Sequence, residues 1–160
     1  MKLCGIEAGG TKFVLGIGDE NGNILIRESI PTLDPETTLE AVSQFILKHQ
    51  PDAVGIASFG PVDLDKNSPT YGEITSTPKP HWANTPILRY LSSRYDVPYG
   101  FDTDVNAAAV GESLWGNGKG VNSLLYLTIG TGIGGGLVIN GQTVHGLLHP
   151  EMGHILLQPY

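Results

Sequence analysis

Two glycine-rich runs hold the residues with the clearest chemical potential. Near the start, Gly5-Ile6-Glu7-Ala8-Gly9-Gly10-Thr11-Lys12 sets a Gly-Gly turn between an acid and a base. Such a turn lets backbone N–H groups face an anion with no Cβ in the way. Thr11 would add a hydroxyl, Lys12 a cation, and Glu7 a carboxylate able to hold Mg²⁺ directly or through water. A plain hairpin with a solvated acid is written in the same letters, and the residues alone leave both readings open. Further on, Gly130, Gly132 and Gly135 formally satisfy G-x-G-x-x-G. That fingerprint needs a helix directly behind it to face a pyrophosphate. Here Leu137-Val138-Ile139-Asn140-Gly141 follows, which reads as a strand and a turn. No G-x-x-x-x-G-K-[ST] occurs, so the dinucleotide-binding and P-loop readings both fail.

Three single residues could also do chemistry. Asp104 falls where an apolar strand pattern gives way to an alanine-rich helix pattern, which places its carboxylate at the carboxyl end of a strand, the usual ligand crevice of α/β sheets. An aspartate before a helix is also an ordinary N-cap. Glu151 and His154 sit beside an apolar stretch, where a solvated acid and a satisfied histidine are common. His145 and His149 are spaced i, i+4, but no H-E-x-x-H pattern accompanies them.

The elements that must position these residues follow from period and punctuation. Strands are predicted over 3–6, 13–17 and 24–30, joined by the Gly-Gly turn and by Asn21-Gly22, so the chain opens as an antiparallel meander. Asp34-Pro35 starts a helix with Leu39, Val42, Phe45 and Ile46 inward, running to about Gln50 before Pro51. Residues 53–58 read as a strand buried on both faces. Residues 59–82, with four prolines and two glycines, show no period, and loops of that length are usually functional or disordered. A helix begins at Thr85-Pro86, a strand covers 97–101, and a helix covers 104–115. The run 116–120 reads as a hinge. Strands at 123–129 and 136–139 surround the second glycine run, Asn140-Gly141 turns a hairpin, and 154–160 end as an apolar strand.

Composition limits the classes of function. The chain has 160 residues, 40% of them hydrophobic, enough for one ordinary domain. No apolar run approaches the ~20 residues of a bilayer span, and residues 1–7 do not read as a signal peptide. The net charge of −7 has the wrong sign for binding nucleic acid or anionic lipid. The single cysteine, Cys4, allows no internal disulfide and fits a reducing cytoplasm. Glycine, 22 of 160, is about twice the usual ~7% and follows no fixed period.

Two glycine-hydroxyl turns between antiparallel strands give the layout of the actin/hexokinase/sugar-kinase superfamily. Within it the sequence resembles the ROK family of bacterial sugar kinases and repressors, most closely its fructokinase branch. The resemblance covers all 160 residues and rests on the opening glycine motif, Phe59-Gly60-Pro61, Thr77-Pro78-Lys79-Pro80-His81-Trp82, Thr103-Asp104-Val105-Asn106-Ala107-Ala108, the second glycine turn and Glu151-Met152-Gly153-His154. It implies an α/β, ribonuclease H-like sugar kinase fold, with residues 1–120 as a complete N-terminal lobe and 121–160 as the beginning of a C-terminal lobe that breaks off.

The resemblance also implies roles. The activity would be ATP- and Mg²⁺-dependent phosphorylation of D-fructose to D-fructose 6-phosphate. Asp104 would be the base, and Gly9, Gly10, Thr11, Lys12, Gly130, Thr131 and Gly132 would bind the phosphates of ATP. Gly60, Pro61, Thr103, Asp104 and Glu151 would bind the sugar, and Glu7 would hold Mg²⁺ with ATP. His154 would ligate a structural Zn²⁺ whose other ligands lie beyond residue 160; no cysteine follows Cys4, so these residues alone cannot complete it. Where the family's glucokinases commonly carry Asn-Asp, this sequence has Thr103-Asp104, which leans towards fructose. A glucokinase or N-acetylmannosamine kinase of the same family, and a non-catalytic front fragment, are the alternatives. A repressor would need a helix-turn-helix ahead of residue 5. Hexose and ATP are the implied partners, without nucleic acid or membrane, with a homodimer at full length and a cytoplasmic location. The 160 residues alone are expected to turn over negligibly and to self-associate through strands left open.

Overall fold

The structure, a computed structural model, describes residues 1–130, 132–146 and 152–156. It divides into two compact units, Met1–Asp104 and Val105–Tyr160. The division lies ahead of residue 121, where the sequence puts the start of a second lobe.

The first unit is a five-stranded sheet in the order β3-β2-β1-β4-β5. The opening meander forms as the sequence predicts. β1 (Leu3–Ala8), β2 (Lys12–Gly18) and β3 (Ile24–Pro31) pair antiparallel, while β4 (Ala53–Ser58) and β5 (Tyr99–Thr103) lie parallel to β1. Alternation sorts the side chains. Cys4, Ile6 and Ala8, Phe13, Leu15 and Ile17, and Val54 and Ile56 are buried on one face. Helix α1 (Pro35–His49) covers that face with Leu39, Val42, Phe45 and Ile46. Its start is fixed by the Asp34 carboxylate, which accepts the Thr37 N–H at 2.9 Å, and by Pro35 in the first turn. It ends at Gln50, left-handed at φ 46°, whose N–H returns to the Ile46 carbonyl. The short α2 (Ile87–Ser92) adds Ile87 and Leu91 to the same core.

The opposite face corrects one expectation. β4 is not buried on both sides, because Gly55 is exposed. Gly16, Gly5, Gly55 and Gly100 stand in register across four strands, so this side of the sheet has a floor of bare backbone. Beside that row runs a second one, Val14, Glu7, Ala57 and Asp102.

Residues 59–86 form no helix and no extended strand. They are tied by the isolated bridges Val62–Ile74 and Ile74–Thr85 and pinned by Trp82, which has no exposed surface. The indole packs against Phe13 and Phe59 with ring centroids 5.4 and 5.6 Å away, and its Nε1–H donates to the Leu33 carbonyl at 2.8 Å. Long, irregular and proline-rich in sequence, the segment is held by these bridges and by the buried side chains of Val62, Ile74 and Trp82, the indole being the largest.

In the second unit, helix α3 (Asp104–Leu114, its first residue still in the first unit) is followed by turns, not a free strand of chain. Glu112 caps these turns, its carboxylate accepting the Asn117 N–H at 2.9 Å and its carbonyl that of Gly118 at 3.0 Å. Strands β6 (Ser123–Ile129), β7 (Ile133–Ile139) and β8 (Gln142–Thr143) make an antiparallel sheet. β7 begins three residues before the expected 136, because Gly134 and Gly135 pair with Thr128 and Leu127 as ordinary ladder residues. β5 likewise runs two residues later than read, its position set by pairing with β4. The apolar strand expected over 154–160 is not found where the structure describes it. Met152–His154 make a single 3-10 turn, Ile155 and Leu156 follow without regular structure, and 157–160 lie outside the described residues.

Candidate active site

The parallel strands bring the motifs of the first unit to one edge. Ala8, Ser58 and Thr103, the last residues of β1, β4 and β5, are register neighbours. With about 4.8 Å between strands, these three ends span about 10 Å. The glycine turn leaves the first, Phe59-Gly60-Pro61 the second and Asp104 the third. This is the carboxyl edge of the parallel strands, where ligands of open α/β sheets bind.

The glycine turn is shaped by what its backbone already does. The Gly9 N–H donates to the Lys12 carbonyl at 3.1 Å, and a Cβ on Gly9 would lie 2.6 Å from that oxygen, so the turn closes only around glycine. Thr32, nearly buried at the end of β3, clasps it from outside. Its N–H donates to the Thr11 carbonyl at 3.0 Å and its hydroxyl to the Gly9 carbonyl at 2.7 Å. Among the described residues the N–H groups of Gly10 and Thr11 have no partner, and both residues are exposed. Lys12 is exposed beside them. Two backbone donors without a partner and a cation therefore lie next to one another on an exposed turn, a suitable arrangement for an anion.

At the second strand end, the Phe59 N–H donates to the Ala8 carbonyl at 2.9 Å, which joins the loop to the glycine turn's own strand. The Gly60–Pro61 peptide bond is cis, and the Pro61 carbonyl accepts from the Thr75 N–H at 2.8 Å and its hydroxyl at 3.1 Å. At the third, Thr103 is buried and Asp104, half-buried, opens α3. The Thr103 N–H is taken by the Asp102 carboxylate at 2.8 Å.

Glu7 lies one residue before the carboxyl end of β1 on the open face, exposed, with Ala57 between it and Asp102. Carboxylate oxygens beside a small residue suit a hard, water-carrying cation such as Mg²⁺. Tyr71, packed edge-on to Phe101 at 6.3 Å, has its phenol raised above the usual range, first by burial and then by the nearby Asp102 charge. Asp102, Thr32 and Tyr71 were not legible as site residues. Asp102 precedes the Thr103-Asp104 motif as an unremarkable strand acid, and Thr32 looks like any residue between a strand and a helix.

The second glycine run serves two ends. Gly130 and Gly132 are exposed, a Cβ on either would meet nothing, and the Gly130 N–H closes on the Gly132 carbonyl at 2.9 Å. Thr131, expected to bind phosphate, lies outside the described residues, as do Glu151 and His149. Gly134 and Gly136 are spent on packing. A Cβ on Gly136 would stand 2.2 Å from the Val105 carbonyl oxygen, and one on Gly134 would be 2.8 Å from the Val105 side chain. The first turn of α3 thus rests directly on β7. Asn106, fully buried in that turn, meets the His145 Nε2 at 3.3 Å through its amide nitrogen. His154 is exposed at the end of the 3-10 turn. Structural zinc requires four closed ligands, and among the described residues no group of three or more His, Cys, Asp or Glu converges. These residues do not make a zinc site.

The profile of the ROK family matches residues 3–160. The chain belongs to the ROK family. Fructokinases from Streptococcus mutans and Zymomonas mobilis are 49% and 47% identical to this ROK chain, over 99% and 93% of its length and 55% and 52% of theirs. A ROK glucokinase from Streptomyces griseus, solved with glucose and AMPPNP, superposes with a TM-score of 0.84 at 31% identity, covering 99% of this chain and 52% of that one. The fold is therefore that of the ROK sugar kinases, of the actin/hexokinase type. The chain spans about half the length of the curated relatives it matches. Among the described residues, no helix is long and apolar enough to cross a membrane.

Proposed function

We propose that the protein carrying this chain is a hexose kinase that transfers the γ-phosphoryl group of ATP to the 6-hydroxyl of D-fructose. The observation that carries the reading is the alignment of Ala8, Ser58 and Thr103, which sets the glycine turn, the Gly60–Pro61 loop and Asp104 on one edge of the sheet. The relatives named as fructokinases support fructose as the sugar.

In this reading Asp104 accepts the proton of the attacking hydroxyl, the new bond forms from the sugar oxygen to γ-phosphorus, and the bond from γ-phosphorus to the bridging oxygen breaks to release ADP. A positioned carboxylate contributes about 10²–10⁴-fold to such a step. The Gly10 and Thr11 N–H groups and the Lys12 ammonium hold phosphate oxygens, with Gly9 shaping the turn that presents them. Gly130, Thr131 and Gly132 bind phosphate in the second unit. Thr103, the Gly60–Pro61 backbone and Glu151 orient the sugar. Bound through Glu7, Mg²⁺ would neutralise phosphate charge; phosphoryl transfer is otherwise mostly positioning.

The test is a coupled ADP-release assay on the whole protein with fructose, glucose and mannose at equal concentration. Fructose is expected to give the fastest turnover. Asp104→Ala is expected to lower kcat at least about 100-fold while sugar binding falls less. Turnover of Asp104→Ala at the parent rate would leave Asp104 as a helix cap, and faster turnover with glucose would move the protein to the glucokinase branch.

A further inference from the structure

The loop Thr77-Pro78-Lys79-Pro80-His81-Trp82 has no part in the mechanism above, yet it is built with care. Lys79 stands between two prolines, which fix their own φ and restrict the residues before them, Thr77 and Lys79. Its carbonyl accepts the Trp82 N–H at 3.2 Å, and Trp82 is the indole locked between Phe13 and Phe59. Its N–H approaches the Thr77 hydroxyl at 3.3 Å. The backbone under Lys79 is thus a stiff mount anchored in the core.

From that mount the side chain reaches Thr32, the residue that clasps the glycine turn. The Lys79 Nζ lies 3.5 Å from the Thr32 carbonyl, at the outer limit of a hydrogen bond. Thr32 in turn holds the Gly9 and Thr11 carbonyls at 2.7 and 3.0 Å. Among the described residues no carboxylate comes within 4.0 Å of this ammonium. The ammonium, with three donors, thus has one long contact to a carbonyl and no counter-charge among the described residues. The missing term is an anion, and the unpartnered Gly10 and Thr11 N–H groups ask for one on the same turn.

We propose that Lys79 is a substrate-binding residue whose ammonium contacts the phosphoryl oxygens held at the Gly10–Thr11 turn. The inference rests on the proposed kinase function. It deepens that function by adding a second cation to Lys12 and giving the Pro-Lys-Pro loop a task. The shared chemistry is a phosphate anion, which either the polyphosphate tail of ATP or the phosphate of the product sugar could supply.

The experiment compares the parent protein with Lys79→Met, Lys79→Arg and Lys66→Met, the last removing an exposed lysine from the same long loop. Steady-state kinetics give kcat/KM for ATP and for fructose, and product inhibition by fructose 6-phosphate gives its Ki; thermal melts confirm that each variant is folded. Loss of a hydrogen bond to a charged group predicts a drop in kcat/KM for ATP of about ten- to a hundredfold in Lys79→Met. Lys79→Arg should recover most of it, and Lys66→Met should match the parent. The KM for fructose should move less than twofold. A tenfold rise in Ki for fructose 6-phosphate with unchanged ATP kinetics would assign the same contact to the product's phosphate. If the parent turns over and folded Lys79→Met matches it in all three quantities, the proposal is overturned and the kinase function stands. A parent that turns over no sugar overturns both.

Discussion

The indole of Trp82 is the strongest single test of how the first unit is held together. Truncation to alanine removes a fully buried side chain, its ring contacts with Phe13 and Phe59, and the donor to Leu33. Tryptophan-to-alanine changes in cores cost about 3–5 kcal/mol. Against the 5–15 kcal/mol typical of a whole domain, that is a large share of what keeps residues 59–86 on the sheet. For a unit of this size each kcal/mol moves Tm by about 4–8 °C, so Trp82→Ala should melt at least about 12 °C below the parent. Trp82→Phe keeps the aromatic packing and loses the hydrogen bond, leaving the Leu33 carbonyl to find water, at a cost of about 1–2 kcal/mol. Urea unfolding followed by circular dichroism measures both. The assay has an internal reporter, because the other tryptophan, Trp115, is half exposed. In a Trp115→Phe background the remaining indole fluorescence should resist acrylamide until the cooperative transition. Trp82→Ala within about 0.5 kcal/mol of the parent, or early quenching of Trp82, would show that the loop is held by something other than this side chain.

Three further outcomes are expected. Gly136→Ala must move the Val105 carbonyl by about an ångström, so it should destabilise the protein by about 1–3 kcal/mol in urea unfolding, whereas Gly130→Ala, with open space around it, should cost under about 1 kcal/mol. Burial pushes the Cys4 thiol up to about 12. Above about pH 9 the unfolded chain therefore sheds a proton that the folded chain keeps, and stability, intact below that pH, should fall by up to about 1.4 kcal/mol per unit until about pH 12; Cys4→Ala should remove that part of the slope in urea midpoints measured at pH 8–11. Finally, Leu125, Leu127 and Ile129 on β6 and Ile133 on β7 are each more than half exposed, so the 160-residue chain should scatter light as an associating species, and Leu127→Lys with Ile129→Lys should reduce that scattering.

Most of the first unit was legible because its signals are local. Asp34-Pro35 marks a helix start by capping chemistry, and the Gly9-Gly10 and Asn21-Gly22 turns punctuate the opening meander. What the sequence could not show is what depends on pairing. The limits of β5 and β7 follow from register with β4 and β6, and the open face of β4 follows from glycines on three other strands. The same holds for the site. The glycine turn, Gly60–Pro61 and Asp104 could be picked out one by one, but their shared edge arises only when β1, β4 and β5 align. Thr32 carries no letter-level signal, since its work is done through two carbonyls twenty residues upstream. Glu151 and Thr131, read as sugar and phosphate ligands, lie outside the described residues, and their roles rest on the proposed function.

The contact between Gly136 and Val105 has a consequence for how the second glycine run would change over time. Its letters record two separate constraints spliced end to end. In the proposed function Gly130 and Gly132, with open space around them, answer to the phosphate at the turn, whereas Gly134 and Gly136 answer to a helix that presses on their strand regardless of any ligand. If the proposed phosphoryl transfer holds, a descendant that had lost it would be released from the first pair and still bound by the second. The half of the motif nearer the helix would then outlive the chemistry, and its survival in a related chain would testify to architecture, not to catalysis.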